Sequence, residues 1–162
     1  MGCLLAMVAG CSALAAQAPA HPPTFGGIHL LEGYSAERRW AVDVAAWQIK
    51  GPHGFVINFE AGDGSWVDPK DAAQYAWFRE TAIRGHRVRV ALVKPGLKTQ
   101  WEPERDRGLP PGNILLVTYV LWTATKQYPE HAENFSAKIA NPEELADALL
   151  MILTFDPSKR SF

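Results

Sequence analysis

Arginines 84, 87 and 89 crowd one short stretch, Arg84-Gly85-His86-Arg87-Val88-Arg89. Guanidinium groups bind carboxylates and phosphates through parallel N–H donors, so this cluster is a candidate contact for an anionic ligand or a lipid headgroup. The competing reading is a solvated strand face. A second cluster is acidic: Glu60, Asp63, Ser65, Asp68 and Asp71. Calcium takes several oxygen ligands from a flexible loop, which makes Asp63 and Asp68 candidate metal ligands. The alternating D-x-D-x-D-G spacing of a calcium hand is missing, and Asp68 and Asp71 also read as residues that start a helix. Trp66 and Trp101 fall in predicted loops, where an indole can stack on a ligand or anchor a partner, or else fold back to cap the sheet. The histidines (21, 29, 53, 86 and 131) include no pair at the close helical spacing of a zinc hydrolase motif. No serine stands in a G-x-S-x-G elbow. The two cysteines are Cys3 and Cys11, so the body from Ser12 onward offers no thiolate metal site, thiol nucleophile or internal disulfide. These patterns assign no catalytic residue and no cofactor.

The N-terminal segment carries a different kind of chemistry. No Asp, Glu, Lys or Arg occurs from Met1 to Leu31, and Leu4 to Ala16 is apolar or small. That length suits a secretory signal and is too short to span a bilayer. Ala18-Pro19-Ala20 fits the small-x-small rule, with cleavage before His21. Val8-Ala9-Gly10-Cys11 looks like a lipobox, in which Cys11 would carry the lipid; only ten residues precede it and none is basic. Both readings imply export, to the periplasm, to the outer membrane as a lipoprotein, or to the medium. The expected division is residues 1–20 as signal, 21–27 as tether, 28–155 as one domain and 156–162 as tail. A chain of 162 residues with 48% apolar content has enough material for one packed core. A formal net charge of -1 gives no electrostatic footprint for nucleic acid.

Ile28–Tyr34 reads as a first strand. Trp40–Lys50 and Phe55–Glu60 alternate about the turn Gly51-Pro52-His53-Gly54 and predict a hairpin. Asp68-Pro69-Lys70-Asp71 predicts a short helix to about Ala76, with Asp68 as N-cap and Pro69 in the first position. Strands are expected from Trp77 to Ile83 and from His86 to Val93 around the turn Arg84-Gly85, with Arg87 and Arg89 on a wet face. Residues 95–111 form a long polar loop. Ile114–Trp122 is apolar on both faces, as for a central strand, and Phe135, Ala137 and Ile139 mark another. Asn141-Pro142-Glu143-Glu144 opens a terminal helix with Leu145, Leu149 and Ile152 on its core stripe. Trp40, Trp47, Trp77 and Trp122 are expected in the core. The fold class expected is α+β: a single antiparallel sheet with a short middle helix and a C-terminal helix packed on it.

Several segments together resemble an uncharacterised family of exported bacterial proteins. They are Ile28-x-Leu30 with Gly33-Tyr34, Phe55-x-Ile57-x-Phe59 with Gly62, and Ile83-x-Gly85 with Val88-x-Val90-Ala91. The closing run from Phe135-x-Ala137 through Glu143-Glu144-Leu145-Ala146-Asp147 to Leu149–Thr154 is the most specific. Asp43 matches the family's second strand, but the Gly expected there is not in place. The shape also looks like the PsbP-like fold of non-catalytic accessory proteins. The resemblance implies no activity. The expected function is therefore a non-enzymatic envelope or secreted module that binds a protein or small ligand, touching membrane only through a lipid on Cys11. The alternative is a small exported hydrolase whose site is built from the loops at 60–71 and 95–111.

Overall fold

The computed structural model describes residues 24–41, 44–95, 113–122 and 130–159. Its main element is a seven-stranded antiparallel sheet. A small hairpin comes first, β1 (Thr24–Phe25) with β2 (Ile28–His29). Next follow β3 (Ser35–Arg39), β4 (Ala45–Lys50), β5 (Val56–Asp63), β6 (Tyr75–Ile83), β7 (His86–Val93), β8 (Asn113–Trp122) and β9 (His131–Ile139). One α-helix, α1 (Pro142–Ile152), closes the order among the described residues. The sheet runs β3-β4-β5-β9-β8-β7-β6. It is thus two meanders, β3-β4-β5 and β6-β7-β8-β9, joined along the β5–β9 seam.

This is a β-rich fold, which corrects the expected α+β class. The predicted middle helix is a 3-10 run, Pro69–Gln74, and β6 begins at Tyr75 straight after it. The start signals work as predicted: Asp68 accepts a hydrogen bond from the Lys70 amide at 2.9 Å, with Pro69 following. What the run lacks is an apolar stripe, for none of its residues is buried. Without a face to pack, nothing offsets the cost of helix nucleation, and the turn does not propagate. The predicted strand Trp40–Lys50 is also corrected: it is shortened to β4, Ala45–Lys50, and an unpredicted strand, β3, pairs along it from Ser35 to Arg39.

Alternation along the strands gives the sheet two different faces. The helix face carries Trp47, Ile57, Phe59, Leu115, Val117, Tyr119, Phe135 and Ala137, which pack with Ala148, Met151 and Ile152 of α1. A chain of rings runs through it: Trp47 on Phe59 at 3.9 Å between centroids, Phe59 on Phe135 at 4.9 Å, and Phe135 on Phe155 at 5.2 Å. Helix α1 starts at Asn141, whose side chain accepts from the Glu144 amide while Glu144 accepts from the Ala140 amide, close to the capping box expected there. Its deepest stripe is Ala148, Met151 and Ile152, with Leu145 and Leu149 only partly covered. The β1–β2 hairpin packs beside the helix, held by the Asp156 amide donating to the Gly27 carbonyl and the His29 amide to Thr154 Oγ1.

The opposite, outer face is covered over β7–β8–β9 by the segment Gly64–Gln74, which crosses from β5 to the far edge strand β6. Val67, Tyr75, Ala91, Val93 and Leu116 make a second, smaller core beneath it. Of the tryptophans expected in the core, only Trp47 is there. Trp40 is 88% exposed, and Trp77 and Trp122 are about half exposed. Trp77 sits on an edge strand and Trp122 at a strand end, positions that an apolar pattern does not distinguish from a centre.

Candidate functional site

The polar groups that the fold brings together lie under the crossing segment. The two-residue turn Arg84-Gly85 sets the β6–β7 register, which puts Glu80 directly opposite Arg89. Arg89 Nε donates to Glu80 at 2.9 Å. One terminal nitrogen of Arg89 donates to Glu130 at 2.8 Å and to Ser65 Oγ at 3.3 Å, and also reaches the Val67 carbonyl at 3.4 Å. Arg87 joins the same Glu130 carboxylate. Arg89 is only 7% exposed, so the face predicted to be wet is sealed at Arg89, while Arg87 stays partly exposed. Burial works against its charge, and the hydrogen bonds it donates to Glu80 and Glu130 outweigh that, holding the guanidinium firmly protonated. Beside it, Asn134 accepts from the Trp66 amide and from Thr118 Oγ1 and donates to the Gly64 carbonyl. Arg89 and Asn134 together fasten the crossing segment onto the sheet.

Arg84 has a different task. It donates to the Thr154 carbonyl at 2.6 Å and reaches the Phe155 carbonyl at 3.4 Å, satisfying acceptors just past the end of α1. The arginine cluster read as one anion site is therefore divided between two structural jobs. Trp66 is half-buried against the smaller core. Asp63 lies at the end of β5, 3.4 Å from His131, whose ring stacks on Trp122 at 5.6 Å. Asp68 caps the 3-10 run. Among the described residues no group of three or more His, Cys, Asp or Glu is placed to hold a metal ion. Cys11 and Trp101 lie outside the described residues, as does residues 96–111 of the loop offered for a hydrolase site.

Among the described residues, no segment crosses the other half of the outer face, on β3, β4 and β5. Gln48 donates to Asn58 across the β4–β5 pair at 2.7 Å. Lys50 pairs with Glu37 across β3–β4 at 2.6 Å. Glu60 stands between Ala46 and Asn134 in the same register row, half-buried, and burial pushes its carboxyl above the ordinary range. The result is an array of amides and charges beside the crossing segment. Sequence reading passed over Glu80, Glu130 and Asn134. Glu80 was legible, because counting back from the turn places it on Arg89. Glu130 and Asn134 reach the cluster only through the pairing of β9, for which no local signal exists.

The chain matches no family model, no curated protein and no solved structure. Among the described residues, no helix is long and apolar enough to cross a membrane.

Proposed function

We propose that the chain is an exported bacterial accessory module that binds a partner through the open half of its outer face. The observation that carries this reading is the division of the polar surface. Arg84, Arg87 and Arg89 are engaged in holding the fold, while Gln48, Asn58 and Glu60 remain accessible as an adaptable set of donors and acceptors. Such a polar array on a hydrogen-bonded sheet suits recognition of a polar partner surface. Export is supported by the uncharged, apolar N-terminal segment and by Val8-Ala9-Gly10-Cys11. The resemblance to an uncharacterised family of exported proteins points the same way for export.

Two measurements test it in the native cells. Intact mass with membrane and soluble fractions kept apart gives a species starting at Cys11 with added acyl mass, or one starting near His21. A photo-cross-linking residue at Asn58 yields a discrete adduct, and the same group at Glu143 on α1 yields none. Full-length chain in the cytosol sinks the export reading, and equal labelling at both positions sinks the binding face.

A further inference from the structure

The two edges of the sheet are built differently. Strand β3 is five residues long and carries Glu37, Arg38 and Arg39, the charged, short edge that discourages pairing with another chain. Strand β6 is nine residues long and largely exposed, and Trp77 stands half exposed on it. Among the described residues its ladder partner is β7 alone. We infer that β6 is a self-association edge, where two copies of the chain pair antiparallel about a two-fold axis at Glu80 to make one continuous sheet.

The register follows from the β6 ladder. Arg84 and Gly85 both have positive φ (51 and 82), so they close a two-residue hairpin on the hydrogen-bonded pair Ile83–His86. Hydrogen-bonded and non-hydrogen-bonded pairs alternate from there. Phe78, Glu80 and Ala82 consequently turn their N–H and C=O groups away from β7, toward the open edge. The ladder is irregular between Tyr75 and Trp77, so the regular stretch is Trp77–Ile83, and its midpoint is Glu80. A two-fold axis there sets Trp77 opposite Ile83 of the second copy, an aromatic on a β-branched residue. Arg79 meets Thr81, and Phe78 meets Ala82. The two Glu80 carboxylates approach one another, each already bound by its own Arg89. Moving the axis to Arg79 would oppose two arginines with no such counter-charge and would draw the irregular Ala76 into the pairing.

The test uses the full chain. Ala82→Pro removes an N–H that the monomer's own ladder does not use. By sedimentation the wild type is a dimer, and this variant dissociates about thirtyfold more readily, the effect of losing one backbone hydrogen bond from each copy. In a background with Cys3 and Cys11 changed to Ser, Glu80→Cys oxidises to a disulfide-linked dimer, since residues facing each other on the axis lie within bridging distance. Phe78→Cys does not, because Ala82 faces it. Monomeric wild type, or equal cross-linking at both positions, overturns the proposal; an N-terminal association would give the latter. The cross-linking pair decides the matter if Ala82→Pro fails to fold.

Discussion

Arg89 is where the outer face is closed, and its worth depends on what its removal leaves behind. Glu80 and Glu130 are charged partners, and the Val67 carbonyl and Ser65 belong to the segment that crosses the sheet. Arg89→Met keeps most of the volume and strips the donors. The carboxylates left behind are partly exposed to water, so the loss is that of charged hydrogen bonds, and urea unfolding should show about 2 kcal/mol. A loss well under 1 kcal/mol would mean that the crossing segment is held by Val67 and the smaller core alone. Glu60 works in the opposite direction. Its carboxyl is raised in the folded state by burial, so the fold disfavours its ionised form. The linkage follows: the stability tied to this group is present where it is protonated and is lost as pH rises through its folded value. Glu60→Gln should therefore stabilise the protein at pH 7, and the gain should vanish near about pH 4, where the wild-type carboxyl is itself protonated. Denaturant midpoints at the two pH values check this, and a gain independent of pH would exclude the titration as its cause.

At the scale of elements, helix α1 is set by its ends. Asn141→Ala removes the acceptor for the Glu144 amide and should cost about 1 kcal/mol, read as a drop of several degrees in Tm. Gly27→Ala should cost more. Its φ is +84, and a Cβ there would lie 2.4 Å from the Asp156 carbonyl oxygen, forcing the β1–β2 hairpin off the segment after α1. If the two variants melt alike, the hairpin contributes little to holding the end of the helix. Both features also show what a sequence exposes. The cap at Asn141-Pro142-Glu143-Glu144 and the turns at Gly51–Gly54 and Arg84-Gly85 are local chemistry, and each element they bound was legible. The same start signal at Asp68-Pro69 led to a predicted helix because local chemistry opens a turn but does not extend it. Extension needs a buried stripe, which Pro69–Gln74 does not have. Strand β3 was missed for a related reason: Ser35-Ala36-Glu37-Arg38-Arg39 is an edge strand with little to bury, so no alternation marks it. The arginine cluster was visible as composition, but its division between Glu130 and the end of α1 depends on which strands become neighbours.

For the whole molecule the decisive contact is the β5–β9 seam, which joins the two meanders through pairs such as Phe59 with Phe135 and Ile57 with Ala137. Hairpin registers can be counted out from a turn; this one cannot, since its partners are far apart in the chain. It is specified instead by burial, for Phe135 is fully buried and its ring touches those of Phe59, Tyr119 and Phe155. Those rings come from both meanders and from the segment after α1, so neither meander has a complete core of its own. The chain should consequently unfold as one cooperative unit, with tryptophan fluorescence and far-ultraviolet circular dichroism following a single transition. Phe135→Ala should lower stability by about 3–5 kcal/mol, a large share of the roughly 5–15 kcal/mol typical of a domain, while keeping that single transition. Should the two probes separate in the variant, with the Trp47 side melting first, the seam is weaker than the meanders. The β3-β4-β5 half, with the open polar face it carries, would then be able to detach while the rest stays folded.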